Sequence, residues 1–411
     1  MPCLSTFNSR SRRAHRLSAP RLTRLLGLAG FWAVILGLSA IAAACPICGQ
    51  PTITLAERFA RADAALLVEW VSAKEAQGQA AASTTYEIIQ VKRDPLGTFK
   101  AGEQLSVERY SPGKSGNLFL LLGRKDEKRG IKWDELPLAV SETSFQYIVQ
   151  APSPEAPAEK RLGYFVKFLE FPDMVIANDA FAEFVNAPTK DIAAAAGKLP
   201  KDKLRRWLAD PKTPVTRQSG YGLMLGLCGG QDEARFLEQR IANSDPERQF
   251  GIEGVMFGYL MLAGETGLST IEKTRLANKH APDGETLAAI QAIRYYWTYG
   301  NGKIPPEKLL EAMRLLLERP AMAETAIVDL SRWKDWSLHE KLMQLYGAKD
   351  YDDARTKKAI VRYMIASTRD VPKDDSKGLP PHVLAGRKCL EMLRERDPKL
   401  VAEAEKFFLL P

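Results

Sequence analysis

Apolar residues change their period twice along this chain. Residues 25–44 form an apolar run without charges, residues from about 60 to 150 come in short strand-length pulses, and from Leu162 onward apolar positions recur at helical spacing. The middle region predicts strands at Ala64–Val71, Thr85–Val91, Leu105–Tyr110, Asn117–Gly123 and Phe145–Val149. Pro95-Leu96-Gly97, Gly102, Pro112-Gly113 and Gly116 punctuate them as turns. The continuous run Leu118-Phe119-Leu120-Leu121-Leu122 predicts a strand buried on both faces. Glu57–Ala62 predicts a short helix ahead of the first strand. Short strands at this spacing suggest a small closed β-barrel or sandwich.

The third region reads as helix after helix. Tyr164, Phe165, Phe168 and Leu169 mark one, and Val175, Ile176, Phe181 and Phe184 a second. Arg217-Gln218-Ser219-Gly220 opens an apolar helix, and Arg248-Gln249-Phe250-Gly251 opens another 31 residues later. Further helices are predicted at Thr286–Tyr299, Pro306–Glu318, Met322–Trp333, Leu338–Tyr346, Arg355–Ser367 and His382–Arg394. Ser337-Leu338-His339-Glu340 has the form of a capping box, and Gly347 follows its helix. Helix pairs recurring roughly every 30–40 residues are the pattern of an α-solenoid. An ordinary helical bundle is the alternative. Ala151-Pro152-Ser153-Pro154-Glu155-Ala156-Pro157 lies between the two regions and reads as a linker or exposed loop. The expected fold is therefore multidomain β + α. Residues 1–44 are a leader, 45–150 a β-module, 151–159 a linker, and 160–411 a helical repeat domain.

The leader carries the address. Six arginines and no acid precede the apolar run Leu25–Ala44, which ends in Ala42-Ala43-Ala44 before Cys45. A basic segment, an apolar segment and a small-residue cleavage site predict a secretory signal. The run of twenty residues is also about long enough to span a bilayer. A retained anchor is thus a second reading. Lipidation of Cys45 is a third, because Ala43-Ala44-Cys45 resembles a lipoprotein signal. The expected location is exported, periplasmic or secreted, with membrane contact only through a retained or lipidated N-terminus. Charge supports no nucleic-acid role. Of the 58 basic residues six lie in the leader, and the remaining 52 face 50 acids. The clusters Arg124-Lys125 with Lys128-Arg129, and Lys198 to Arg206, are interrupted by acids and read as solvated surface.

The β-region resembles the netrin-like module, the OB-type barrel also found in tissue inhibitors of metalloproteinases. The likeness is an order of features. Cysteines come first, then Phe59-Ala60-Arg61-Ala62-Asp63-Ala64-Ala65-Leu66-Leu67-Val68 and Thr85-Tyr86-Glu87-Ile88-Ile89-Gln90-Val91. Gly102-Glu103-Gln104-Leu105-Ser106-Val107 and Gly116-Asn117-Leu118-Phe119-Leu120-Leu121-Leu122 follow. The family opens with Cys-x-Cys, this chain with Cys-x-x-Cys, and no cysteine lies between residues 49 and 150. The helical region resembles degenerate HEAT repeats. The combination behind an export signal resembles a group of exported bacterial proteins to which no activity is assigned. The inhibitor likeness implies zinc capture by the amino group and carbonyl of an N-terminal cysteine, a position only Cys45 matches.

Cys45-Pro46-Ile47-Cys48 is the one sharp motif. A local disulfide, a redox pair, half of a metal site and lipidation of Cys45 all fit it. Haem attachment would need His where Gly49 stands. Gly220, Gly222, Gly226, Gly229 and Gly230 lack phosphate-loop spacing and predict close helix packing instead. Asp179 and Glu183, four apart on a helix, are spaced as a carboxylate pair, with a surface pair or a cap as the alternative. His280, His339 and His382 are scattered. Tyr295, Tyr296, Trp333 and Trp336 form an aromatic group that reads as core or as a recognition surface. No catalytic residue, cofactor site or metal set is expected. The address and architecture favour binding of a protein or peptide in the cell envelope on the concave face of a solenoid. A metalloproteinase-inhibitor-like action through Cys45, or thiol redox chemistry at Cys45 and Cys48, are the alternatives.

Overall fold

The computed structural model of the chain describes residues 51–408, apart from 79, 129, 135, 243–249 and 373–377. Cys45, Cys48 and the apolar leader lie outside the described residues. The first element is α1 (Leu55–Arg61), where Thr54 and Glu57 form a capping box. Six strands follow: β1 (Ala64–Lys74), β2 (Ser83–Arg93), β3 (Gln104–Val107), β4 (Leu118–Asp126), β5 (Gly130–Trp133) and β6 (Leu138–Val140). They form one antiparallel sheet in the order β3-β2-β1-β4-β5, with β6 also paired to β4. Register shifts between Ala65 and Leu66, Leu67 and Val68, and Trp70 and Ser72 interrupt the β1–β2 ladder. Such bulges add twist and bend, and the sheet curls into a half-barrel.

The curl explains the continuous apolar runs. Leu66, Val68, Tyr86, Ile88 and Leu121 form a core on one face. Ala65, Leu67, Leu120 and Leu122 point the other way and join the helices in a second, larger core. Successive side chains of β1 and β4 alternate between two buried faces, so neither strand shows polar alternation. Each fully buried leucine contributes about 1.5–3 kcal/mol relative to exposure.

The predicted strand at Phe145–Val149 is a correction: this segment is the helix α2 (Glu142–Gln150). Ser141 caps it, accepting from the Ser144 N–H, while Phe145 and Ile148, three apart, are both buried. Five residues with four apolar positions around Gln146 are too few to settle a period, and the cap decides it.

The remaining helices are α3 (Ala158–Phe165), α4 (Met174–Asn186), α5 (Thr189–Ala194), α6 (Lys201–Ala209), α7 (Val215–Cys228), α8 (Gln231–Ala242), α9 (Ile252–Ala263) and α10 (Glu265–Ile271). Then come α11 (Asp283–Tyr299), α12 (Pro306–Arg314), α13 (Pro320–Arg332), α14 (His339–Leu345), α15 (Ala354–Arg369), α16 (Pro381–Arg396) and α17 (Pro398–Phe408). The architecture is mixed β plus α. Helix α7 packs on α9, α9 on α11, α11 on α13, α13 on α15 and α15 on α17, while α10 meets α12 and α14 meets α16. Alternate helices therefore stack as a row. Glycine allows the tightest approach: a Cβ on Gly222 would lie 2.6 Å from the Val255 nitrogen.

Polar side chains tie neighbouring helices together at separations as different as 21 and 51 residues, four of them at 34 or 35. Arg275 donates to the Ile241 carbonyl 34 residues away, and Tyr351 to the Leu317 carbonyl, also 34 away. Arg294 donates to Asp329 across 35 residues, and the Trp336 indole N–H to Asp370 across 34. The predicted capping box at Ser337 is a second correction. Leu338 is the N-cap of α14 without a side-chain bond, because the Ser337 hydroxyl donates to Asp335 instead, at 2.7 Å. Asp335 in turn holds Arg314 through two hydrogen bonds.

Candidate functional site

Two polar clusters adjoin where the described chain begins. The first lies on one side of α4, where Asp179, Glu183 and Asn186 recur at four- and three-residue spacing. They hold residues 52–55, which lead into α1. Thr52 donates its N–H to Asn186 Oδ1 at 3.1 Å and accepts from Asn186 Nδ2 at 2.6 Å. Leu55 N–H donates to Asp179 Oδ1 at 2.7 Å, and the Tyr147 hydroxyl donates to Asp179 Oδ2 at 2.8 Å. Glu183 is buried and pairs with Arg161 at 3.1 Å, with the Thr54 hydroxyl as a further partner.

Burial pushes the carboxyl groups of Asp179 and Glu183 above their ordinary range. The Leu55 N–H and Tyr147 hydroxyl oppose this at Asp179, as Thr54 and Arg161 do at Glu183. Burial, with the nearby Asp179 charge, drives the Tyr147 phenol far above its usual value. The spacing of the two acids is the one the sequence suggested. Their role is to seat a backbone segment, each oxygen at Asp179 being engaged by a protein donor.

The second cluster is a cleft of about 190 Å³ lined by Ile53, Arg58, Arg61, Ala62, Arg124 and Asp134. Arg58 and Arg61 come from the last turn of α1, Arg124 from β4 and Asp134 from just beyond β5. Arg58 lies 3.7 Å from the Asp134 carboxylate, and Arg61 lies 3.9 Å from Glu57. Asp134 is fixed by its backbone, its N–H donating to the Leu122 carbonyl and its carbonyl accepting from Arg109. Sequence reasoning missed this cleft. The basic pair Arg124-Lys125 was visible, but only the sheet brings it to α1.

The four aromatics singled out from sequence divide between core and half-exposed positions. Tyr295 and Tyr296 are each 3% exposed. Tyr295 bonds the Thr189 hydroxyl, and Tyr296 donates to Asn301 at 2.8 Å. Their rings pack on Phe257 and offer no surface to a partner. Trp333 is half-buried and stacks on Trp297 with ring centroids 4.4 Å apart and planes 11° apart. Trp336 is also half-buried, bonded to Asp370 at 2.7 Å and stacked against His382. Between the two tryptophans Lys334 takes a left-handed backbone, φ 59°, and pairs with Asp370 at 2.6 Å.

His339 is buried, with Nδ1 3.0 Å from the Trp336 carbonyl and Nε2 3.0 Å from Ser367 Oγ. A carbonyl can only accept, so Nδ1 carries the proton. The Ser367 hydroxyl donates to the Met364 carbonyl at 2.8 Å, and its oxygen lies against Nε2. Burial lowers the imidazole pKa. Cys228 and Cys389 are half-buried free thiols, and burial pushes Cys228 up to about 11. Among the described residues no group of His, Cys, Asp and Glu is arranged to hold a metal ion. No described helix is long and apolar enough to cross a membrane. Comparison with protein-family models, with curated proteins and with solved structures finds no match to this chain.

Proposed function

We propose that this chain is an exported interaction protein, an α-solenoid of HEAT-like repeats joined to an OB-like β-module, which binds a protein or peptide through its helical part. The observation that carries this reading is the recurrence of layer-to-layer bonds at separations of 34 and 35 residues, together with the row of alternate helices. Stacked repeats of that period make extended surfaces suited to binding. The contact proposed is the half-exposed Trp297–Trp333 stack, since rigid aromatic anchors dominate interface energetics.

The test is site-specific photo-crosslinking in the exported protein, with the crosslinker placed at Trp333 and, as a control, at the exposed Leu96 of the β-module. A discrete adduct with an envelope protein from position 333, lost when Trp297 is changed to Ala in a folded variant, is the expected result. Adducts equal in kind from both positions, or none from 333, overturn the reading.

A further inference from the structure

We infer that the cleft between α1 and the β4–β5 edge is a binding site for a phosphate monoester group. Arg58, Arg61 and Arg124 line it, with Asp134 as the one acidic residue of the lining and Glu57 lying 3.9 Å from Arg61 beside it. Cations thus outnumber acids at the cleft. A phosphate monoester near neutral pH carries about −1.5 to −2, so it gains more from a cationic lining than a carboxylate of single charge does. Guanidinium forks also suit phosphate oxygens, which accept bidentate pairs.

Three further features fit an anion here. The C-terminal carbonyls of α1 would repel one, but Arg93 covers them, donating to the carbonyls of Phe59 at 2.5 Å and Ala62 at 2.8 Å. Arg124 has no ion-pair partner among the described residues and lies directly across the β4–β5 ladder from Lys132. Like charges directly opposite each other destabilise a strand pair, and an anion beside them would offset that cost. Ile53, 61% exposed, forms an apolar wall on which the carbon part of an ester rests.

The site is separate from the helix row of the proposed function, so either stands if the other fails. The experiment is calorimetric titration of the full exported chain, at fixed ionic strength, with inorganic phosphate and glycerol 3-phosphate. A parallel arm measures co-sedimentation with phosphatidylcholine vesicles containing phosphatidic acid, whose headgroup is a monoester, or phosphatidylglycerol, a diester. Saturable binding of the small phosphates is expected, weakened at least tenfold by Arg124→Gln and strengthened severalfold by Asp134→Asn. Arg124 is exposed and unpaired, so its variant keeps the fold, which circular dichroism checks. Preference for phosphatidic acid over phosphatidylglycerol vesicles, lost in Arg124→Gln, identifies a lipid source, and binding of the soluble phosphates alone a free one. Failure of all four probes to bind above a chloride control, or equal binding by wild type and Arg124→Gln, overturns the inference.

Discussion

Gly226 of α7 and Gly258 of α9 face each other with no room for a methyl group: a Cβ on Gly226 would lie 2.4 Å from the Gly258 Cα. A Cβ on Gly258 would meet the Gly222 carbonyl oxygen at 2.2 Å. Backbone cannot yield as a side-chain end can. Gly258→Ala is expected to destabilise by about 1–3 kcal/mol or more through forced separation of the helices, despite the better helix propensity of alanine. Gly284 in α11, with open space around it, is the control, and its alanine variant is expected to be neutral or slightly stabilising. Urea melts of the two variants check this.

Asp179→Ala removes the acceptor of both the Leu55 N–H and the Tyr147 hydroxyl. A stranded buried donor costs about 1–3 kcal/mol. The expected signature is a loss of that order, with faster hydrogen exchange at the Leu55 amide. Asp179→Asn keeps one acceptor oxygen and is expected to lose less. Unchanged exchange at Leu55 in the alanine variant would show that the segment is held by Asn186 alone.

Acidification acts on His339 and on the buried acids with opposite signs. The folded pKa of His339 lies below the ordinary 6.5, so the unfolded chain takes the proton first. Its contribution to stability is full above 6.5 and falls as pH drops toward the folded value. Wild type is expected to lose more stability than His339→Gln between about one pH unit above and one below that point. Asp179 and Glu183 have raised folded values, so their protonation favours the fold. Their contribution is present below the ordinary carboxyl pKa and is lost as pH rises through the folded one. Wild type is thus expected to gain on Asp179→Asn as pH falls through that window.

Much of the fold was legible where pattern and cap agree. The runs at Ala64–Val71 and Leu118–Leu122 are strands because β-branched and leucine residues fill both faces of a sheet buried on both sides. Phe145–Val149 was misread because so short a segment, four apolar residues and Gln146, fits either period, and the deciding signal was the unremarked Ser141 and Ser144. β5 and β6, of four and three residues, are too short to carry a period. At the site, the spacing of Asp179 and Glu183 was visible and their burial was not, because Leu55 lies 124 residues away in sequence. The cleft was illegible for the same reason, since α1 and β4 meet only through the fold.

A fragment beginning near Glu159 is expected to remain helical by circular dichroism yet melt below the full chain. Leu162, Phe165 and Phe184 share one core with Leu67, Leu122, Phe145 and Ile148. Removing the sheet and α2 exposes the former group to water, at about 25 cal/mol per Å² of apolar surface. An equal melting temperature would show that the helices carry their core unaided.

The mature chain is expected to begin at Cys45, following Ala42-Ala43-Ala44. Intact-mass measurement of envelope material reads the start directly. A mass lower by two hydrogens than the fully reduced chain marks one disulfide, and peptide mapping shows whether it joins Cys45 to Cys48. Retention of the leader marks an anchored protein, and an added acyl mass a lipoprotein.

The pair of hydrogen bonds between Thr52 and Asn186 also bears on how the body takes up a pull. Tension on the chain ahead of Pro51 reaches α4 through Asn186 and Asp179 before it reaches any strand. Tethered by its N-terminus, the molecule would hang from its helical core, with the half-barrel left slack.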